Sequence, residues 1–392
     1  MTDPSSPGRD DADDRASAAT LCTIDRLGAR RLARVLRHHR PGDALARLRT
    51  GEALHDLVER AIPPADLRAI RRAAAGTDPG EVARRCRTVD VAVTHLGADD
   101  YPVVLAADPD PAPVLFFRGR LDALAGRRVG VVGTRNATAA GRATASELGY
   151  ELAQAGVTVV SGLARGVDGA VHRGVRDAGG AGRPVAIVGS GLDVPYPRQH
   201  GLLWDWVASC GALVSEWPPG TQPDAWRFPQ RNRIIAAASE VLVVVESRTR
   251  GGSLITARLA LDRDVEVMAV PGSPRSPASA GTNALLVDGA MPVTSVDDVL
   301  TALSLDHRHA APGAGRPARP TDPVASSVVA AVEAAGAATL DRVAAVTGLP
   351  IAAAALALAR LERDGVLAEV DGWFEPCTSR LAGCTTEPRD AS

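Results

Sequence analysis

Six short polar segments of the sequence combine the groups that bind phosphate: backbone amides beside glycine, hydroxyl side chains and guanidinium groups. They are residues 133–136 (GTRN), 161–169 (SGLARGVDG), 228–233 (FPQRNR), 251–256 (GGSLIT), 271–273 (PGS) and 281–283 (GTN). Glycine-rich turns and helix N-termini present amides to anions, and arginine contacts phosphate oxygens in a bidentate way. The pattern predicts a polyanion site and assigns no catalytic residue.

The residues expected to contact phosphate are Gly133, Thr134, Arg135, Ser161, Gly162, Arg165, Gly166, Arg231, Asn232, Arg233, Gly252, Ser253 and Thr256. Asp168 and His172, one helical turn apart, are expected to fix the loop and helix around them. Glu246 is expected either to pair with Arg231 or Arg233 or to contact the ligand. These two arginines stand before a predicted helix, residues 234–238, where they oppose its dipole, and this placement indicates an anion or an acidic partner.

The polar segments follow short apolar runs that are typical of buried parallel strands. These runs are residues 129–132, 157–160, 185–188, 212–214, 241–245 and 265–270, separated by helical stretches such as 138–154. Such alternation predicts an α/β fold, a doubly wound Rossmann-like parallel sheet covered by helices on both faces. Ligands bind such sheets beyond the carboxyl ends of the strands, where these segments lie.

Dinucleotide binding is disfavoured although the predicted fold often supports it. Arg135 stands where a GxGxxG turn would bring bare backbone against a pyrophosphate. Gly189-Ser190-Gly191 is followed at once by Pro195 and Pro197, which would break the required helix. No cofactor is therefore expected.

The amino-acid composition argues against several further classes of enzyme and binding site. All 44 basic side chains are arginine, so a Walker A lysine, a kinase strand lysine and a Schiff-base lysine are absent. The five cysteines are scattered without a CxxC pair, which favours reduced thiols and no metal site. The N-terminus is acidic and polar, and no apolar run reaches the roughly 18 residues of a membrane span. These features predict a soluble cytoplasmic protein.

Charge is segregated along the 392 residues. Residues 15–87 carry 16 Arg against 8 Asp and Glu, and residues 118–183 carry 10 against 5, whereas residues 324–392 carry 5 against 9. The first two segments are suited to a polyanion and the last is not. We predict a disordered acidic N-terminus over residues 1–15, a helical domain over 16–87 (SAM-like or helix-hairpin-helix-like) and a Rossmann-like domain over 88–305.

The C-terminal part predicts a separate small domain. A Pro- and Ala-rich linker, residues 306–323, precedes helices at 326–335, 341–346 and 351–364 and a hairpin over 366–374. This order predicts a winged-helix domain at 324–376, followed by a tail at 377–392. Its third helix is rich in alanine and leucine, so we expect protein contact or regulation rather than DNA reading.

Aromatic side chains cluster before the arginine pair. Trp204, Trp206, Trp217, Trp226 and Phe228 all fall within residues 204–228. Trp204 and Trp206 are expected in the core. Trp226 and Phe228 are candidates for stacking on bases, an interaction that contributes about 1–3 kcal/mol per base.

Together these motifs resemble the DNA-processing protein A family (DprA/Smf). The resemblance rests on Gly133-Thr134-Arg135, the loop from Ser161 to Asp168 with His172, Ser215-Glu216, Phe228 to Ile235, Gly252 to Ala257, and Pro271-Gly272 with Gly281-Thr282-Asn283. It covers roughly residues 96–300. Arg165, Val167 and Gly251 depart from the family's common lysine, isoleucine and serine, without loss of charge or of a needed glycine.

The resemblance implies single-stranded DNA binding without catalysis, protection of incoming DNA, and delivery to the RecA recombinase during natural transformation. It also implies a homodimer formed through the Rossmann-like domain. Arg135 and Arg165 would then grip phosphates, and the loop at 162–166, residues 231–233 and Gly252-Ser253 would line the groove. The basic segments and the aromatic cluster agree with binding to a single strand.

Two alternatives use the same crevice. A nucleotide phosphoribohydrolase of related fold would need a PGGxGTxxE loop, but Leu254 replaces its third glycine and no Glu lies three residues after Thr256. A small-nucleotide sensor would retain the glycine loops without needing tryptophan or an extended basic path.

Overall fold

A computed structural model describes residues 7–305, 322–335, 338–363, 366–370 and 373–376. The chain divides into two compact units, residues 1–307 and 308–392, each treated separately below. The predicted C-terminal tail and all but the last two residues of the predicted linker lie outside the described residues.

The first unit begins with six short helices. They are α1 (Pro7–Leu21), α2 (Gly28–Leu36), α3 (Pro41–Thr50), α4 (Asp56–Glu59), α5 (Pro64–Ala75) and α6 (Pro79–Thr88). Proline occupies the first turn of α3, α5 and α6, where its missing N–H has no intrahelical partner to lose. Proline therefore marks the start of these three helices.

The prediction that residues 1–15 are disordered is wrong for residues 7–15, which belong to α1. Asp14 accepts hydrogen bonds from the Gly42 amide (2.9 Å) and from Arg40 Nε (2.9 Å). Arg15 donates to the Val93 carbonyl and to Asp100. This segment is thus bonded to groups that lie far from it in sequence, and composition alone cannot reveal such contacts.

A sheet of nine strands follows. The strands are β1 (Ala92–His95), β2 (Val114–Gly119), β3 (Arg128–Val132), β4 (Thr158–Ser161), β5 (Pro184–Val188), β6 (Ala212–Ser215), β7 (Val241–Val244), β8 (Glu266–Ala269) and β9 (Met291–Pro292), in the order β1-β2-β6-β5-β4-β3-β7-β8-β9. All six predicted strands are present and parallel to one another. Strands β1 and β2 pair antiparallel at one edge, an addition that the sequence analysis missed.

Helices connect and cover these strands. They are α7 (Val103–Ala106), α8 (Ala139–Gln154), α9 (Val167–Ala178), α10 (Gly201–Cys210), α11 (Arg227–Ala237), α12 (Gly252–Leu261), α13 (Ala280–Val287) and α14 (Val296–Leu305), with 3₁₀ turns at Leu121–Leu124 and Arg198–His200. The chain runs from β3 outward to β6 and then returns to place β7 on the other side of β3. This reversal creates a switch point between β3 and β7, beside which ligands bind in doubly wound sheets.

The two faces of the sheet bury alternate residues of each strand, as the pleat requires. Val185 and Ile187 lie in one core with α11 and α12, whereas Ala186 and Val188 lie in a core with the N-terminal helices. This second core also contains Leu21, Ile70, Phe116 and Trp204. The helical region therefore shares its hydrophobic core with the sheet, and Trp204 is buried as expected.

Helices α8 and α9 cross in close backbone contact because glycine lies at the crossing. A Cβ at Gly174 would collide with the Ser146 carbonyl oxygen, and one at Gly149 would collide with the Val171 carbonyl oxygen. Both helices also pack on the same core beneath β3 and β4.

The second unit contains α15 (Pro323–Ala335), β10 (Ala338–Thr339), α16 (Leu340–Thr347), α17 (Ile351–Arg363), β11 (Leu367–Val370) and β12 (Trp373–Pro376). Its strands form a sheet in the order β10-β12-β11 around a core of its own. The three predicted helices are present, and β11 pairs antiparallel with β12 as the predicted hairpin requires; its turn, residues 371–372, lies outside the described residues. The winged-helix identity of this unit stays a prediction.

Among the described residues, no single helix has the length and hydropathy of a bilayer span. The bent pair Leu340–Thr347 and Ile351–Leu361, 113° apart, meets those criteria only when its halves are joined.

We expect Gly174→Ala to destabilise the first unit by about 1–3 kcal/mol, because the new methyl group would force α8 and α9 apart. The free energy of unfolding from urea titration followed by circular dichroism measures this change. Gly201→Ala is the matched control: Gly201 is helical, and nothing lies within 4 Å of a Cβ built there. An equal loss of stability in the two variants would contradict the close-contact explanation.

Candidate functional site

The predicted polar segments meet at the carboxyl edge of the sheet, around the switch point. The Thr134 amide, after β3, donates to the Glu246 carbonyl, after β7, at 2.8 Å. The Val167 amide donates to the Thr134 carbonyl at 3.3 Å, which joins the loop after β4 to the loop after β3. The Gly281 amide donates to the Ser247 carbonyl at 2.7 Å. Backbone hydrogen bonds thus tie four loops into one surface.

Arg231 lies beneath this surface and is 3% exposed. Its guanidinium donates to the Gly162 carbonyl at 2.7 Å and to the Ile187 carbonyl, and it lies 3.7 Å from Asp168 Oδ2. Burial lowers the pKa of Arg231 to about 10, so the group remains charged at neutral pH. The prediction that Arg231 contacts a phosphate is wrong, because its guanidinium is buried and bonded to the loop backbone.

The expected helix start near these arginines is also wrong. Helix α11 begins at Arg227, so Arg231 and Arg233 lie inside it rather than before it. Arg233 pairs with Glu216 and, at 3.4 Å, with Asp110, and it is almost entirely buried. Asn232 accepts a hydrogen bond from Arg231 Nε at 3.1 Å and is half-buried. The sequence analysis placed the helix start too late because Pro229 made this stretch look non-helical. Proline is in fact tolerated here, because it lies in the first turn of α11.

Asp168 and Glu246, two residues with expected roles around the loops, have different contacts in the structure. Asp168 accepts a hydrogen bond from the Ala164 amide at 3.4 Å and pairs with Arg231. Burial raises the pKa of Asp168, while the charge of Arg231 opposes that shift. Glu246 accepts from the Thr138 amide and hydroxyl, both at 2.8 Å, and so caps α8; it pairs with neither Arg231 nor Arg233.

His172 is fully buried, and neither ring nitrogen has a hydrogen-bond partner among the described residues. Burial lowers its pKa to about 3, so the ring is neutral and its part in fixing the loop is limited to packing. His200 supplies a hydrogen bond that the sequence analysis missed, between its Nδ1 and the Leu163 carbonyl at 2.9 Å.

Three of the predicted hydroxyl contacts face inward. Ser161 donates to the Val131 carbonyl at 2.6 Å, Ser253 donates to the Ser247 hydroxyl at 2.9 Å, and Thr256 is buried. The N-terminus of α12 instead presents backbone: Gly252 is exposed, and no side chain caps the helix. A phosphate at this end would meet amides and the positive end of the helix dipole.

The loops after β3, β4 and β7 carry the exposed arginines Arg135, Arg165, Arg248 and Arg250. None of their guanidinium groups forms a hydrogen bond or an ion pair with the part of the chain that the structure describes. Gly166 (φ +79°) turns the loop so that Arg165 reaches solvent while its neighbours pack on Thr134. The sequence analysis missed Arg248 and Arg250, although they lie in the loop after β7 and so carry the same positional signal.

An aromatic group adjoins these cations. The Arg135 guanidinium lies 4.2 Å from the ring centroid of Phe228, and the Tyr196 ring lies 5.5 Å from Phe228. Trp226 is 50% exposed and meets Trp217 edge-on at 6.5 Å. The cation–π contact orients the Arg135 guanidinium and leaves its positive charge available to pair with an anion.

The described residues contain no group of three or more His, Cys, Asp or Glu side chains that could hold a metal ion. Cys22, Cys86 and Cys210 are free thiols, and burial raises the pKa of Cys86 to about 11. Cys377 and Cys384 lie outside the described residues.

Comparison with known proteins gives a consistent result. The model of the DNA recombination-mediator protein A family matches residues 92–304. The DNA processing protein DprA of Bacillus subtilis is 41% identical over 209 residues, which are 53% of this chain and 70% of that protein. The putative DNA processing protein DprA of Mycobacterium tuberculosis H37Rv is 41% identical over 259 residues, 64% of this chain and 65% of that protein.

The X-ray structure of DNA processing protein A from Streptococcus pneumoniae superposes with a TM-score of 0.64 at 29% identity. The superposition covers 73% of this chain and 97% of the streptococcal chain. The family model spans more than half of the sequence and includes the whole doubly wound sheet. The chain therefore belongs to the DNA recombination-mediator protein A family.

Proposed function

We propose that this protein binds single-stranded DNA at the carboxyl edge of its sheet, without catalysing a reaction on it. The observation that carries the proposal is the exposed Arg135 guanidinium over the Phe228 ring, together with Arg165, which is exposed and has no ion-pair partner among the described residues. Guanidinium groups that track a phosphate backbone, next to aromatic rings that accept bases, are the two elements of sequence-neutral strand binding.

The proposed contact surface differs from the one expected from sequence. Arg135, Arg165, Arg248 and Arg250 supply the cations, and the exposed amides at Gly252 supply a phosphate seat. Gly133, Thr134, Gly162, Gly166 and Asn232 shape the groove, while Arg231 and Arg233 hold its loops from beneath. Phe228 and Trp226 offer the stacking surfaces.

We further propose that the protein protects incoming strands and passes them to the RecA recombinase during natural transformation or recombination. The family description, a recombination mediator, and the name of the relatives, DNA processing protein, support this role. A homodimer through the Rossmann-like domain and a cytoplasmic location belong to the same proposal. No feature of the crevice favours a phosphoribohydrolase, because Leu254 and Ala257 to Leu259 leave α12 without a carboxylate near Thr256.

Replacing both Arg135 and Arg165 by alanine is expected to weaken binding to oligo-dT on the order of 25-fold at about 0.1 M salt. Each phosphate contact on a single strand contributes about 0.7 to the slope of log affinity against log salt, so the slope should fall by about 1.4. Fluorescence anisotropy of labelled oligo-dT over a salt series measures both quantities, with matching duplex as competitor.

The control for this pair is Arg120→Ala with Arg183→Ala, which removes the same charge at the opposite edge of the sheet. Arg120 follows β2 where it meets the start of β6, Arg183 precedes β5, and both pair with Asp122. The control should bind as the wild type does. Unchanged binding by the Arg135 and Arg165 variant, or tighter binding of duplex than of single strand, would refute the assignment of the groove.

Removing residues 324–392 is expected to leave the affinity for oligo-dT within about twofold of the full chain, because this segment carries net negative charge. The same anisotropy titration tests this expectation. A loss as large as that of the arginine variant would show that the C-terminal unit takes part in strand binding.

Loading of RecA is tested on a strand coated with single-strand-binding protein. The wild type should shorten the lag before RecA hydrolyses ATP, and the Arg135 and Arg165 variant should not. A lag that is the same with and without wild-type protein would separate strand binding from RecA loading and remove the second role.

A further inference from the structure

The C-terminal turn of α6 carries cations that the proposed function does not use. Of its three arginines, Arg84 pairs with Asp78 at 3.0 Å. Arg85 and Arg87 are exposed and form no hydrogen bond or ion pair with any described residue. Most other arginines of the helical region differ from these two, since Arg15, Arg26, Arg30, Arg31, Arg40, Arg47, Arg60 and Arg71 all pair with carboxylates.

Arg85 is held against the Rossmann-like domain. Its guanidinium lies on the backbone of Gly220, where a Cβ would collide with it, and Gly220 has φ +83°. The Gly220 amide donates to Asp193 Oδ1 at 2.6 Å, and the Thr221 amide donates to the Pro218 carbonyl. The turn after β6 is thus a defined platform, and glycine at its apex lets α6 approach.

The same turn leads to the aromatic group of the crevice. Trp217 begins it and meets Trp226 at 6.5 Å between ring centroids. The indole N–H of Trp226 donates to Asp224 at 2.7 Å, which fixes the ring, and the Arg227 guanidinium lies 4.7 Å from the ring centroid. Phe228 and Arg135 follow at once. Arg85 therefore contacts the turn that contains Trp217, Trp217 contacts Trp226, and Phe228, which contacts Arg135, follows Trp226 by two residues in α11.

We propose that α6 provides a second contact for the same DNA strand, through Arg85 and Arg87, beyond the loops of the sheet. This inference rests on the proposed function, which it extends from the crevice to the helical region. The ligand is the phosphate backbone of a single strand whose bases pass Phe228 and Trp226. Alternating cations and flat rings suit a single strand, whereas a duplex keeps its bases stacked on one another.

The experiment compares a short oligo-dT of about six nucleotides, near the lower end of known single-strand sites, with a long one of about 20 nucleotides, beyond their upper end of about 16. The full-length Arg85→Ala/Arg87→Ala variant should bind the long strand roughly ten- to thirtyfold more weakly at about 0.1 M salt, with a salt slope lower by about 1.4. The short strand fills the crevice alone, so its affinity should stay within about twofold of wild type. Arg85→Lys/Arg87→Lys should retain most of the long-strand affinity, because it keeps both charges.

The matched control is Arg34→Ala with Arg72→Ala. These two arginines are likewise exposed and unpaired among the described residues, but they lie on α2 and α5. The control should bind both strands normally. The second contact is refuted if the Arg85 and Arg87 variant binds the long strand as tightly as the wild type does. It is also refuted if this variant loses affinity equally for both strand lengths, or if the control variant loses as much affinity. If only the Arg135 and Arg165 variant loses affinity, the proposed function stands and the second contact at α6 is refuted. If the wild type binds neither strand, the proposed function and the second contact are both refuted.

Discussion

The buried guanidinium of Arg231 is the interaction on which the crevice depends. It reaches from α11 to the carbonyls of Gly162 and Ile187 and to Asp168, and so fastens the ends of two neighbouring strands and the start of α9. Gly162 has no side chain because a Cβ would occupy the space of that guanidinium. A buried charge that lost Asp168 or its carbonyls would be strongly unfavourable, so the loop has one stable arrangement.

This anchoring separates the arginines into two groups with different physical roles. Arg231 and Arg233 are buried and paired with carboxylates, so their role is structural. Arg135 and Arg165 face solvent and have no anionic partner among the described residues. Arg231 fixes the loop from which Arg165 projects, and the Val167 amide of that loop bonds to the Thr134 carbonyl in the loop of Arg135. Preorganisation of this kind reduces the conformational entropy lost when a flexible strand is bound.

The helical region belongs to the same structural unit as the sheet. Leu21 and Ile70 share a core with Phe116 and Trp204, and the Asp110 carboxylate lies between Arg30 of α2 and Arg233 of α11. Apolar packing and this ion-pair chain connect the N-terminal helices to the helix that anchors the crevice. Cations of the helical region consequently have fixed positions relative to the loops, which is what an extended binding path requires.

The sequence by itself determined the six parallel strands, the carboxyl-edge position of the polar loops, the family, and the importance of Arg135 and Arg165 as candidates. Strand runs and glycine turns are local patterns, and local patterns are readable in one sequence. Which arginines are exposed was decided only by the tertiary structure. Arg165 and Arg231 both lie in polar segments of the sequence, but loop carbonyls and Asp168 surround Arg231, whereas Arg165 is exposed. The order of residues 7–15 and the approach of Arg85 to Gly220 likewise arise from contacts between distant segments, and pairing over such distances leaves no local pattern.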